Sequence, residues 1–392
     1  MIDYSKLLSS TVTEIKPSGI RKFFDIANTM EGVISLGVGE PDFRTPWQVR
    51  SAAIRSLEKA STRYTANRGL AELREEISRY VDRKYHQSYS PKEEILVTVG
   101  GSEAIDMTIR ALLDPGDEVI IPQPSYVCYE PITRISGGKP VIINTKAEND
   151  FKLTPQELSQ AITPRTKALI LPYPCNPTGA IMEREDLEKI ARVLSSTNIC
   201  VISDEIYAEL TFGGSTHVSI ASIEGMKERT VLINGFSKAF SMTGWRMGYA
   251  CGPAPLISQI TKIHQYAIMC APTTSQHAAI EALRSCDEDV VRMREEYDAR
   301  RKLIVKGFND LGLSCREPKG AFYAFPCISS TGMTSEEFCE KLLFEKKVAI
   351  VPGTAFGDSG EGFVRASYCY SIDHIKEALR RIGEFLKALK EG

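Results

Sequence analysis

Short, unbroken apolar runs recur through the middle of the chain. Between them lie stretches in which apolar residues return every three or four positions. The runs are Ile95–Val99, Glu118–Pro122, Pro140–Asn144, Ala168–Leu171, Cys200–Ser203, Thr230–Asn234 and Met247–Cys251. They are rich in Val and Ile and do not alternate with polar residues. Strands of this kind are covered on both faces, as in a parallel sheet. The intervening stretches, such as Ser102–Leu113, Pro155–Ala161 and Arg184–Leu194, carry the helical period. This alternation predicts an α/β unit in which helices sandwich a mostly parallel, seven-stranded sheet.

The pattern changes after about residue 285. A long charged helix, Asp287–Leu311, precedes short strands near Gly320–Pro326 and Val348–Val351, then Gly362–Tyr368, then an amphipathic helix from Asp373. That order predicts a smaller α+β domain. The opening residues read as an arm and a short helix starting at Ser18, an acceptable N-cap. The expected layout is an arm over 1–44 that joins the small domain, a large domain over 45–285, and the small domain over 286–392.

Composition supports two domains. The chain has 392 residues, 43% of them hydrophobic, and single cores stop growing at about 250–300 residues. A net charge of −2 gives no field that would draw nucleic acid or an anionic membrane. There is no apolar leader and no run approaching the ~20 apolar residues of a membrane span, so a cytoplasmic protein is expected. The ten cysteines form no CxxC pair and the five histidines no HxxxH or HExxH spacing. Neither a disulfide framework nor a metal site is expected.

The chemistry gathers just past the strands. In NGFSKAFSMTGWRMG (234–248), Ser237 and Lys238 fall at a strand's C-terminal edge, where open α/β sheets bind ligands. A buried lysine amine is nucleophilic and can condense with an aldehyde. Arg246 offers a rigid fork suited to phosphate. Alone, Lys238 would read first as a solvated surface charge; the neighbouring motifs reverse that reading. In VISDEIY (201–207), Asp204 ends an apolar strand and needs a cation, such as a pyridinium nitrogen, unless it caps a helix. In PYPCNPTG (172–179), Asn176 can donate to a phenolate-like oxygen, as can the Tyr207 hydroxyl; an ordinary Asn-Pro turn reads the same. In VGGSEAI (99–105), Gly101 and Ser102 open a helix whose free N–H groups make an anion cradle. Tyr126 can stack on an aromatic ring or pack in its loop.

Together these motifs resemble the class I aminotransferases of fold type I, the pyridoxal-phosphate family. The likeness runs from SLGVGEPDF (35–43) through RYTANRGLAELR (63–74), GGSEAI, YPCNPTG, SDEIY and SKAFSMTGWRMG to GAFYAFP (320–326) and VPGTAFG…GEGFVRASY (351–368). The segments SGIRKFFDIA, HQYAIMC and MREEYDARR point to the branch of aromatic, N-acetyl-diaminopimelate and aspartate aminotransferases.

The resemblance implies that Lys238 carries pyridoxal 5′-phosphate covalently and shuttles the substrate proton. It implies Asp204 at the ring nitrogen, Asn176 and Tyr207 at the ring oxygen, and Tyr126 stacked on the ring. Gly101, Ser102, Ser237 and Arg246 are expected to hold the phosphate. Arg365 is expected to take the substrate α-carboxylate, helped by Gly39 and Asn176. Tyr64 is expected to reach the partner subunit's phosphate, which makes the protein a homodimer.

Aspartate-preferring relatives often place a lysine after the Gly-Gly, where this chain has Ser102, so aspartate is not implied as donor. Ile20, Phe23 and Tyr323 are candidates for the pocket or its lid and equally for core packing, and the helix around Ser18–Asn28 is expected to close over substrate. The expected reaction is ping-pong transfer of an amino group from an L-amino acid, aromatic or other, to a 2-oxo acid, commonly 2-oxoglutarate. The alternative on the same scaffold is a carbon–sulfur β-lyase, because these residues serve a carbanion whatever its fate.

Overall fold

A computed structural model describes residues 2–17, 19 and 30–391. The helix expected from Ser18, with Ile20 and Phe23, lies outside the described residues. In chain order the strands are β1 (Ile34–Ser35), β2 (Ile95–Thr98), β3 (Glu118–Gln123), β4 (Lys139–Asn144), β5 (Thr166–Leu171), β6 (Cys200–Asp204), β7 (Thr230–Gly235), β8 (Gly248–Cys251), β9 (Tyr323–Ala324), β10 (Val348–Ala349), β11 (Val351–Pro352) and β12 (Val364–Ser367). All seven apolar runs became strands, with ends moved by a residue or two.

They form one seven-stranded sheet in the order β2-β8-β7-β6-β5-β3-β4. Strands β4, β3, β5, β6 and β7 run parallel to one another. Only β8 is reversed, antiparallel to both β2 and β7. A parallel return needs a crossover, usually helical. The link from β7 to β8 holds no α-helix, just the 3-10 turn Thr243–Trp245, so the chain doubles back. β2, β3, β6, β7 and β8 are buried throughout, whereas the edge strand β4 exposes Lys139 and Asn144.

The helices follow local chemistry. Thr154 caps Pro155–Ala161 in a reciprocal box with Glu157, behind a proline suited to the first turn. Helix Arg184–Leu194 buries Leu187, Ile190, Ala191 and Leu194, the i, i+3, i+4, i+7 stripe of a sheet-covering helix.

The smaller unit has β11-β12-β9 as an antiparallel sheet, with β1 paired in parallel to β10. Helices Asp287–Asp310, Ser335–Lys346 and Ile372–Glu391 pack on it. Its core takes in Leu36, Leu210 and Phe212 as well as C-terminal residues. The N-terminal segment is therefore stitched into this unit: Leu36 N–H donates to Ala349 O and Leu36 O accepts from Ser367 N–H. All ten thiols are free. Among the described residues no helix is long and apolar enough to cross a membrane.

Candidate active site

The sheet's carboxyl edge opens into a cavity of about 420 Å³. Pro172 follows β5, Asp204 ends β6, Ser237 and Lys238 follow β7, and Gly101 and Ser102 follow β2. Gly39, Tyr126, Asn176, Tyr207, Arg246 and Arg365 complete the set expected from the sequence, and Tyr323 lines it too. Tyr64 does not line it and stands 80% exposed.

Lys238 Nζ donates to the Gly39 carbonyl at 2.7 Å and faces the Phe322 ring at 5.7 Å. Among the described residues no carboxylate pairs with it. Burial disfavours the ammonium and lowers its pKa to about 8. Gly39 must be glycine: a Cβ there would lie 1.9 Å from the Tyr323 hydroxyl. So Gly39 supplies an acceptor for the lysine, a contact the sequence did not suggest.

Asp204 is buried, and no described cation pairs with it. Desolvation raises its pKa, opposed by hydrogen bonds from the Tyr129 hydroxyl at 2.7 Å and Ile206 N–H at 3.2 Å. No helix follows Asp204, which excludes the capping role. Tyr129 was missed in the sequence. Its spacing three residues after Tyr126 was the available signal, and the two rings meet edge to face at 5.8 Å.

Arg365 sits on β12, paired across to Val351. Its guanidinium lies 4.4 Å from the Tyr323 ring and 4.7 Å from Phe356. Nη1 donates to Asn176 Oδ1 at 2.8 Å, and Nη2 to Gly37 O. Nε is buried without a partner among the described residues. Asn176, in a loop with cis Tyr173–Pro174 and Asn176–Pro177 bonds, has no hydrogen-bond partner for its amide N–H₂ among the described residues. The Tyr207 and Tyr323 hydroxyls share a hydrogen bond of 2.9 Å.

The turn before helix Gly101–Leu112 is glycine by necessity. Gly100 has φ +78°, and a Cβ on it would sit 2.7 Å from Arg246 Nη2. A Cβ on Gly248 would meet the Gly100–Gly101 backbone at 2.6 Å. The helix start has no side-chain cap, so its N–H groups stay available beside Ser102, Ser237 and Arg246, an arrangement suited to an anion. Ile105, Val127, Pro174 and Ile206 add apolar walls to which the sequence reading gave no role. Among the described residues no group of three His, Cys, Asp or Glu could hold a metal ion.

An amine whose pKa burial lowers to about 8 and two guanidinium groups open into one cleft, the equipment of an α/β enzyme for small carboxylates. Comparison with known proteins narrows this class. Residues 31–382 match the family model "Aminotransferase class I and II". YugH of Bacillus subtilis (strain 168), whose aminotransferase name is itself provisional, is 55% identical, covering 97% of this chain and 98% of that one. Aspartate aminotransferase of Pyrococcus abyssi is 46% identical over 98% of this chain and 99% of its own. The crystal structure of an aromatic aminotransferase from Pyrococcus horikoshii OT3 superposes with a TM-score of 0.90 at 44% identity, covering 94% of this chain and 99% of that one. The chain belongs to the class I and II aminotransferase family. It is an aminotransferase, and relatives' names include aspartate, aromatic-amino-acid and N-acetyl-LL-diaminopimelate aminotransferase.

Proposed function

We propose that the protein transfers an amino group from an L-amino acid, aromatic or other, to a 2-oxo acid such as 2-oxoglutarate, with pyridoxal 5′-phosphate as cofactor. One observation carries this reading. Lys238 and Asp204 face the same cavity, and neither is paired with an opposite charge among the described residues. A ring with an aldehyde for the amine and a pyridinium for the acid fits both groups at once. The uncapped Gly101–Ser102 turn with Ser237 and Arg246 fits its phosphate.

Bound there, the cofactor supplies the aldehyde and an electron-withdrawing ring that makes the substrate α-proton acidic. The rest falls to the protein. Lys238 Nζ, its pKa lowered to about 8, takes the proton from the substrate α-carbon as a neutral base. Asp204, held by Tyr129 and Ile206, faces the ring nitrogen. Asn176 presents its unengaged N–H₂, and Tyr207 its hydroxyl, to the ring oxygen. Tyr126 covers the ring. Arg365 takes the α-carboxylate, with the Gly39 segment alongside. One cleft serves donor and acceptor in turn, so the kinetics are ping-pong.

We also propose a homodimer with domains at 45–285 and 286–392, the arm 1–44 joining the latter. Exposed Tyr64, Tyr266, Ile268 and Met269 support a subunit contact. Asn67 donates to Met269 O at 2.9 Å, tying the Tyr64 loop to that surface. Ten free thiols fit a reducing cytoplasm.

A single-turnover experiment tests the reaction. Holoenzyme mixed with an amino acid and no acceptor should form oxo acid in an amount matching its cofactor, then stop until 2-oxoglutarate is added. Continuous release of pyruvate and ammonia from a β-substituted amino acid would instead assign a lyase.

A further inference from the structure

We infer that His264 is a positioning residue for the phosphate-binding turn, acting through Glu103; this rests on the cofactor reading above. The turn Val99–Gly100–Gly101–Ser102 is held on the strand side by Thr98, whose hydroxyl donates to Gly100 O at 2.9 Å. Gly100 is at positive φ, and no side chain caps the helix that follows. Glu103, in the first helical turn, reaches back so that one carboxylate oxygen accepts from Val99 N–H. Its other oxygen lies 2.7 Å from His264 Nδ1. Both oxygens are thus engaged behind the turn, and Glu103 does not line the cavity although Gly101, Ser102 and Ile105 do.

The arrangement solves a charge problem. A carboxylate next to Ser102 would repel a phosphate if its side chain swung forward. His264 prevents this from a fixed seat: it is fully buried on helix Ala254–Ala267, on the same face as Ile257 and Ile260. Arg246 presses on Gly100 from the cavity side, so the turn is clamped between a cation in front and a tethered acid behind. The other imidazole nitrogen, Nε2, is buried with no partner among the described residues. The ring's polar contribution therefore comes from Nδ1 alone, and an asparagine amide in that place would supply the same donor.

The test compares pyridoxal phosphate with pyridoxal, which keeps the aldehyde for Lys238 but lacks the phosphate. Both are titrated into the cofactor-free full-length protein. In His264→Leu, affinity for pyridoxal phosphate should fall about tenfold or more while pyridoxal stays within about twofold. His264→Asn should restore the phosphate-bearing ligand. If His264→Leu does not fold, Glu103→Gln, which replaces one acceptor by a donor, should show the same selective loss. Equal losses for both ligands, or no loss for pyridoxal phosphate, would overturn the inference. A wild-type protein that takes up neither ligand would instead sink the cofactor reading and this inference with it.

Discussion

Replacing Arg365 by alanine should weaken the grip on substrate carboxylates and also cost the fold some stability. The guanidinium is held between the Tyr323 and Phe356 rings, and it spends Nη1 on Asn176 Oδ1 and Nη2 on Gly37 O. Its buried Nε remains unspent, and each Nη carries a second proton. A carboxylate arriving here is desolvated and pairs with a cation already fixed in place. Cutting such a pair in half costs about 2–5 kcal/mol, which is roughly 30-fold to 4,000-fold in affinity at about 1.4 kcal/mol per decade. The fold loses the donors to Asn176 and Gly37, about 1–3 kcal/mol for each acceptor that water fails to reach. Single-turnover titration would give the dissociation constants of amino acid and oxo acid, and thermal unfolding would report the stability. Both substrates should weaken together, because both present the same carboxylate. If both affinities stayed within about threefold of wild type, Arg365 would not be the carboxylate partner.

Tyr129→Phe removes the hydroxyl that favours the charged form of Asp204. A hydrogen bond to a charged group contributes about 1.5–3 kcal/mol, so the carboxyl pKa, already raised by burial, should climb by roughly 1–2 further units. The ionised acid is then lost at higher pH, and the acidic limb of cofactor binding should move up by that amount. An unmoved limb would show that Tyr129 is only packing. For Lys238, burial lowers the pKa from 10.5 to about 8, so the neutral amine appears as pH rises through 8. The rate at which pyridoxal phosphate attaches to the cofactor-free protein should therefore rise through pH about 8, and a rise only near 10.5 would contradict the burial argument.

The sheet was legible because its strands are buried on both faces and so read as continuous apolar runs. What the runs could not show was direction: β8 is reversed by the short link from β7, a property of the connection and not of the strand. Lys238, Asp204 and Asn176 were legible because each stands at or shortly past the end of an apolar run, where a lone polar group is conspicuous, and Arg246 because it stands just before the next one. Tyr129 was not, since a tyrosine near the start of a helix reads as packing. The Glu103–His264 contact spans 161 positions; Glu103 stands in GGSEAI and His264 opens HQYAIMC, but nothing in either segment pointed to the other. The Gly39–Lys238 bond was hidden for a similar reason, because a carbonyl leaves no mark in the sequence. Tyr64 was legible as part of RYT, but it stands exposed and away from the cavity of its own chain.

The central claim is the covalent seat at Lys238. The holoenzyme should be reduced with borohydride, digested and mapped by mass spectrometry. The account predicts a phosphopyridoxyl group on Lys238 and none on the Lys238→Ala variant. A protein that stays colourless with pyridoxal phosphate, or that carries the group on another lysine, would contradict it.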